Sequence, residues 1–438
     1  MTSRFISAKI GKRLTSFDPI AYLNEPRWRS VSLGLDRIEQ LLERLGNPQD
    51  SLRFVHVAGT NGKGSTSAFI AQILQEAGFK VGLFTSPYLI KFEERIQVNR
   101  EVISFEDLLS VVLRVKDVAE TMSDHPTEFE LMTATAFLYF AEQKCDIVVA
   151  EVGLGGRLDS TNVISTAEVS LITPIDLDHC AILGNTLAEI AQEKAGIIKQ
   201  GVPVVSAPQA EDAREVIART AHDKKSSLVF ADALILGDND NFSYKNYKNL
   251  HISLLGSYQK TNAVVALEGA LCLRQSGWNI SDEAIYQGLA HTKWAGRFEL
   301  LAKNPPIVVD GSHNEQGIIS LIETLDLRYP QRAVVFVVGI LEDKAHEAMI
   351  SHLVSYGKTF VAVPVSNPRS LSVSHLVQEI ESVAQRQAKQ IEVFRATTIK
   401  EGIDKAVALA GNDGVVCACG SLYSIADIKK AVEDLNIK

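Results

Sequence analysis

Gly59-Thr60-Asn61-Gly62-Lys63-Gly64-Ser65-Thr66 stands between a short apolar run, residues 52–58, and a stretch of helical periodicity, residues 65–77. A buried strand, a glycine-rich turn and a helix in that order describe a phosphate-binding loop. The glycines let backbone N–H groups turn inward on phosphate oxygens, and the helix N-terminus adds partial positive charge. The lysine reaches the terminal phosphates, and a hydroxyl can hold Mg²⁺. The spacing departs from G-x-x-x-x-G-K-[ST]: Val57 stands where the first glycine belongs, and Gly64 separates Lys63 from Ser65 and Thr66. A dinucleotide fingerprint in the Gly153-Leu154-Gly155-Gly156 cluster would need glycine at 158, where Leu158 stands. No Asn-Lys-x-Asp guanine reader occurs, so ATP is favoured over GTP and NAD.

Outward from the loop, apolar runs of strand length alternate with helical segments, the signature of an α/β protein. The sequence predicts further strands at 80–84, 146–151, 168–173 and 203–206, and a second series at 307–310, 333–339, 359–363, 392–394 and 414–419. Both series read as parallel sheets, which bind ligands beyond the carboxyl ends of their strands. A domain boundary is placed near 297, giving domains 1–297 and 298–438. The polar segment 237–250 reads as a solvated excursion or edge hairpin. The chain's 438 residues are 46% hydrophobic and 22% charged, which fits a fully cored globular protein and not a disordered one. A net charge of −9 argues against duplex nucleic acid or an anionic membrane as main partner. No apolar run approaches the ~18 residues of a membrane span. The first seventeen residues share the basic, Ser-containing bias of transit peptides but lack a long apolar core. Five cysteines without CxxC or zinc spacing fit a reducing cytoplasm.

Strand ends carry the remaining chemistry. Glu151 ends an apolar strand and suits a nucleotide-bound Mg²⁺, or it caps a turn. The next strand leads to Asp176, Asp178 and His179, able to hold a second metal or position a substrate group. Lys194 falls on the apolar stripe of a helix over 186–198, with Leu187, Ile190 and Ile198. Its ammonium either snorkels to water or is an interior functional group, paired or modified. In the second series, Asp310-Gly311-Ser312-His313-Asn314 reads as a ribose or phosphate contact, or as a turn rich in capping residues. Arg297 lies at the junction, either crossing to phosphates or sitting on the surface.

The sequence resembles the folylpolyglutamate synthase/dihydrofolate synthase family, a branch of the Mur ligases. The matching motifs are the phosphate loop, Thr85-Ser86-Pro87, Thr127-Glu128-Phe129-Glu130, the run from Glu151 to Asn162, Asp178-His179, Glu193-Lys194-Ala195-Gly196-Ile197, Gly296-Arg297-Phe298-Glu299, the Asp310 motif and Asp343-Lys344. They follow family order from about residue 30 to Tyr423. The resemblance implies a Mur-ligase-like fold: a P-loop ATPase domain with a parallel sheet, then a smaller Rossmann-like α/β domain on the glutamate side of a cleft. It implies a cytoplasmic, monomeric ATP-dependent ligase with two Mg²⁺ ions. A pterin carboxylate, of dihydropteroate or a reduced folate, takes the γ-phosphate as an acyl phosphate, and the amine of L-glutamate displaces it.

By the same resemblance Gly59, Thr60, Asn61, Gly62, Lys63, Gly64, Ser65, Thr66, Asn262, Arg297 and Asp310 bind ATP. Ser65, Ser86, Glu151, His179 and Lys194 serve the metal, Lys194 as a carbamylated side chain, and Lys63, Lys194 and His313 act in catalysis. Thr127, Glu128, Phe129, Leu158 and Asp159 meet the pterin substrate. Ile175-Asp176-Leu177-Asp178-His179-Cys180 departs from the usual family wording, and Glu315 replaces a frequent proline. Two other readings compete. A Mur-type ligase acting on a cell-wall nucleotide precursor would carry an extra N-terminal domain, and fewer than sixty residues precede Gly59. A non-catalytic nucleotide-binding module would lack one of Lys63, Glu151, His179 or Lys194, and all are present.

Overall fold

A computed structural model describes residues 17–25, 34–165, 167–232, 235–236 and 241–435. The basic segment that resembles a transit peptide therefore lies almost wholly outside the described residues.

The first sheet has eight strands in the order β4-β3-β2-β5-β1-β6-β7-β8. In chain order they are β1 Phe54–Ala58, β2 Val81–Phe84, β3 Ile96–Val98, β4 Glu101–Val102, β5 Ile147–Glu151, β6 Val169–Ile172, β7 Val204–Ser206 and β8 Leu228–Phe230. Only β3 runs against the others, pairing antiparallel with β2 and with β4. β1 and β5 are buried at every position, as strands covered on both faces must be. Their side chains alternate between two cores: Val55 and Val57 join one that includes Phe69 and Ile70, while Phe54 joins another with Leu131 and Phe137. The helices that position the site are α1 Lys63–Glu76, α2 Glu128–Glu142, α3 Leu187–Ala195, α4 Gln259–Gln275, α5 Asp282–His291 and α6 Glu315–Arg328.

The expectation of a wholly parallel sheet fails at one edge, where β3 and β4 pair antiparallel. Asn99 and Arg100 between them both have positive φ, the backbone of a two-residue hairpin turn whose twist suits its strands. In segment 237–250 the hairpin alternative holds for the described residues and the solvated excursion does not: β10 Phe242–Tyr244 and β11 Tyr247–Leu250 pair antiparallel, and β9 Ile235–Leu236, just before the segment, completes a three-stranded sheet. Phe242, Tyr244, Tyr247 and Leu250 are buried in the core that also contains residues of α4 and α5, so the small sheet is a cover and not a solvated loop. The intervening Asn and Lys residues mask that alternation in the sequence.

The second sheet begins at Glu299 and has six strands in the order β12-β13-β17-β14-β15-β16. These are β12 Glu299–Lys303, β13 Pro306–Val309, β14 Val334–Val338, β15 Thr359–Ala362, β16 Glu392–Arg395 and β17 Val415–Cys419. Only β12 is antiparallel, a hairpin partner of β13. Among the described residues, no helix is long and apolar enough to cross a membrane.

Candidate active site

The order β5-β1-β6 sets three strand ends side by side, with Val57 level with Glu151 and Ala58 level with Ile172. The loop after β1 is therefore flanked by Glu151 on one side and by the segment leading to Asp178 and His179 on the other. Its backbone is held by packing as much as by glycine freedom. Gly62 caps α1 with φ of 86°, and a Cβ there would collide with the Asn262 amide of α4. A Cβ on Gly59 would collide with the Thr173 hydroxyl at the end of β6.

Two amines converge on one oxygen of this loop. Lys63 folds back so that Nζ donates to the carbonyls of Gly59 and Thr60, each at 3.1 Å. Lys194, in the last turn of α3 and only 4% exposed, donates Nζ to the same Gly59 carbonyl at 2.8 Å. The ammonium therefore does not snorkel. Burial, reinforced by neighbouring Lys63, brings the Lys194 pKa down to about 7. Burial lowers Lys63 as well. Glu151 is buried, accepting a backbone N–H from Ser86 at 3.3 Å, and burial raises its pKa to about 7 despite Lys63 nearby.

The second sheet supplies the opposite wall. Asp310 follows β13 and is saturated by the protein. Oδ2 accepts from the Tyr258 hydroxyl at 2.9 Å and from Phe298 N at 2.7 Å. Oδ1 accepts from Ser312 N at 2.8 Å and from the Ser312 hydroxyl. Asn61 of the phosphate loop and Asn314, the N-cap of α6, exchange side-chain amide bonds at 2.9 and 3.3 Å. Asp178 gathers the second half around itself: Lys344 Nζ donates at 2.8 Å, Asn314 Nδ2 at 3.4 Å, and His313 Nε2 stands 3.8 Å away. Burial pushes this carboxyl up, but Lys344 and His179 outweigh it and hold Asp178 below the usual carboxylate range. Burial lowers His179, and it takes His313 down to about 4 with help from Lys344.

One cavity of about 580 Å³, of ordinary size for a small-molecule site, collects these groups. Its wall includes Gly59, Thr60, Asn61, Gly62, Lys63 and Gly64 of the loop, Ser86, Glu151, His179, Lys194 and Asn262 of α4 from the first-sheet side, and Arg297, Asp310 and His313 from the second side. Other expected site residues stand off the wall. Ser65 is buried beneath the loop, its hydroxyl accepting from Gln259 Nε2 at 3.2 Å, and the Thr66 hydroxyl is buried without a partner. Thr127 caps α2 in a reciprocal box with Glu130, Glu128 opens that helix, and the Phe129 ring packs against Gly153. Leu158 is half-buried, and Asp159 is buried behind the glycine loop.

The chain matches two family models, the Mur ligase middle domain over residues 57–270 and the Mur ligase glutamate ligase domain over 296–422. It is 41% identical over 424 residues to the dihydrofolate synthase/folylpolyglutamate synthase of Bacillus subtilis, covering 92% of this chain and 96% of that one. The chain belongs to the folylpolyglutamate synthase/dihydrofolate synthase family. Two solved structures of the family are similar along nearly the whole length. Mycobacterium tuberculosis folylpolyglutamate synthase complexed with ADP is 27% identical, with a TM-score of 0.86, 95% of this chain and 99% of that one being covered. E. coli FolC in complex with DHPP and ADP is 29% identical with a TM-score of 0.85, over 95% and 97%. Membership accounts for the cavity's two-sided construction, one Mur ligase model meeting it from each half.

One residue on this family's cavity escapes a reading of the sequence: Tyr258, which lines the wall and binds Asp310. Asp178 is legible as a strand-end acid, but its place as the hub for Lys344 and Asn314 is not. Asp178-His179 and Asp343-Lys344 are legible as motifs. Their pairing across 166 residues has no local signal.

Proposed function

We propose that this chain is an ATP-dependent ligase that joins L-glutamate to the carboxylate of a pterin acceptor. The carrying observation is the single cavity in which a phosphate loop, two buried lysines and Glu151 face Arg297 and the Asp310–His313 turn. The domain spanning 1–297 takes ATP and the acceptor, and the domain spanning 298–438 presents glutamate. The acceptor carboxylate attacks the γ-phosphate, giving an acyl phosphate and ADP. The glutamate amine then attacks the acyl carbon and phosphate leaves. In-line transfer of this kind relies on positioning and charge neutralisation, which Lys63, Arg297 and the loop N–H groups supply.

The residues fit Mg²⁺ as well. Glu151 is a buried carboxylate facing the cavity with a single N–H bond, and His179 shares the wall. Among the described residues, no three acidic, imidazole or thiol side chains converge on a point. That suits an ion that keeps waters and takes one or two protein ligands plus substrate phosphates. Ser86, Glu151, His179 and Lys194 would hold up to two ions, which when bound neutralise charge on the transferring phosphate. Burial that brings the Lys194 pKa to about 7 leaves part of the amine without its proton near neutral pH, the form that carbon dioxide addition to Nζ needs, and the carbamate would supply an oxygen donor for the metal. The reading includes a monomer working in the cytoplasm.

Incorporation of labelled L-glutamate by purified protein with ATP and Mg²⁺, comparing dihydropteroate with tetrahydrofolate, tests this. Dihydropteroate alone means a dihydrofolate synthase, tetrahydrofolate alone a polyglutamylase, and both a bifunctional enzyme. No incorporation with either overturns the substrate assignment.

A further inference from the structure

His56 is the middle residue of β1 and is 0% exposed, two residues before the phosphate loop's own strand end. An imidazole in the centre of a parallel sheet is costly unless its nitrogens are used. Its Nε2 lies 2.9 Å from the hydroxyl of Thr161, itself fully buried. That hydroxyl lies 2.6 Å from Oδ1 of Asp159. A carboxylate only accepts, so the single Thr161 proton points at Asp159. The bond from the ring must then be donated by Nε2–H. Nδ1 is left as a bare lone pair, and it is buried without a partner. The result is a directed chain from His56 through Thr161 to Asp159.

The far end of the chain is backbone. Asp159 Oδ2 accepts from Leu154 N at 2.9 Å, and Oδ1 accepts from Thr161 N at 3.0 Å. Gly153, Leu154 and Gly155 line the cavity, and the Phe129 ring packs on Gly153. A loop with glycine at 153, 155 and 156 cannot hold one shape by its own sterics. We infer that His56 is a positioning residue that fixes the Gly153–Asp159 loop, through Thr161 and Asp159, as a wall for the pterin acceptor. This rests on the ligase reading given above and on the acceptor lying on the Phe129 side of the cavity.

The test is steady-state kinetics of His56→Leu, His56→Gln and Thr161→Val, varying the acceptor at saturating ATP and then ATP at saturating acceptor. His56→Leu is expected to raise the acceptor KM about tenfold, the size of one lost buried hydrogen bond, with the ATP KM within about twofold. Gln carries an Nε2 donor and should bring the acceptor KM back to within about threefold of wild type. Thr161→Val should resemble His56→Leu, and the double variant should be no worse than either, as for members of one chain. A merely structural histidine would lower the melting temperature and leave the ratio of the two KM values unmoved. An unmoved ratio, or failure of Gln to rescue a folded protein, overturns the inference. If His56→Leu does not fold, Thr161→Val decides by the same ratio. Absence of wild-type turnover would instead overturn the substrate assignment, so the two failures are distinguishable.

Discussion

The two sides of the cavity are built on opposite principles. On the first-sheet side, buried charges have few partners: Lys63 and Lys194 share the Gly59 carbonyl, and Glu151 accepts one N–H. On the second-sheet side, Asp310 accepts four bonds, and Asn314 and Lys344 are engaged with Asn61 and Asp178. The first side leaves charge unspent until ligand charge arrives, while the second is a finished scaffold that fixes where the ligand sits. Buried groups with shifted pKa values and spare valency mark chemistry, and saturated ones mark geometry.

Substitutions should divide along the same line. Lys63→Ala, on the unspent side, is expected to cost roughly 10³-fold in turnover with the fold intact by circular dichroism. Unchanged ATP use would remove the phosphate-loop assignment. Lys194→Ala should lose roughly 100-fold, and a small carboxylic acid added to the assay should restore some of it. Full activity at limiting Mg²⁺ would end the metal-linked role of that lysine.

Asp310→Asn attacks the finished side and should act first on stability. An amide in place of the carboxylate cannot accept from all of Tyr258, Phe298 and Ser312, and each donor left buried costs about 1–3 kcal/mol. Thermal unfolding reads this loss, and a variant as stable as wild type but inactive would move Asp310 to the chemical side. The smallest effect is a titration. Burial takes the His56 pKa down to about 3, whereas the unfolded imidazole binds a proton near 6.5. Between those values the unfolded state holds more protons, so stability should fall as pH is lowered from about 6.5 to about 3 and be flat in this respect above it. His56→Gln should flatten that slope in denaturant titrations at several pH values.

Sequence alone reaches the centre of each sheet better than the edges. Continuous apolar runs such as 147–150 and 334–338 are strands because both faces are covered, and this shows in composition. The helix read over 65–77 begins two residues earlier, at Lys63, because left-handed Gly62 starts it. The two-residue β4, the β9–β11 cover and antiparallel β12 are set by partners and turns, which leave little periodicity to read. Within the site, strand-end residues are legible because a parallel sheet sends its carboxyl ends to one place. The burial of Lys194 is legible only as a lysine on an apolar stripe. The Asp178–Lys344 pair and the hidden position of Asp159 depend on contacts between segments far apart in sequence.

The neighbourhood of β5, β1 and β6 has a consequence for how this protein can change. Adjacent strands lie about 4.8 Å apart because peptide groups bond at that spacing, so the site's width is measured by main chain and not by side chains. Surface drift leaves such a ruler untouched. Adding or deleting one residue within β1 would turn its alternating side chains to the wrong cores and at the same time slide the loop past Glu151. Variation among descendants should therefore appear as substitutions along these strands and as changes of length only in the connections at their amino ends.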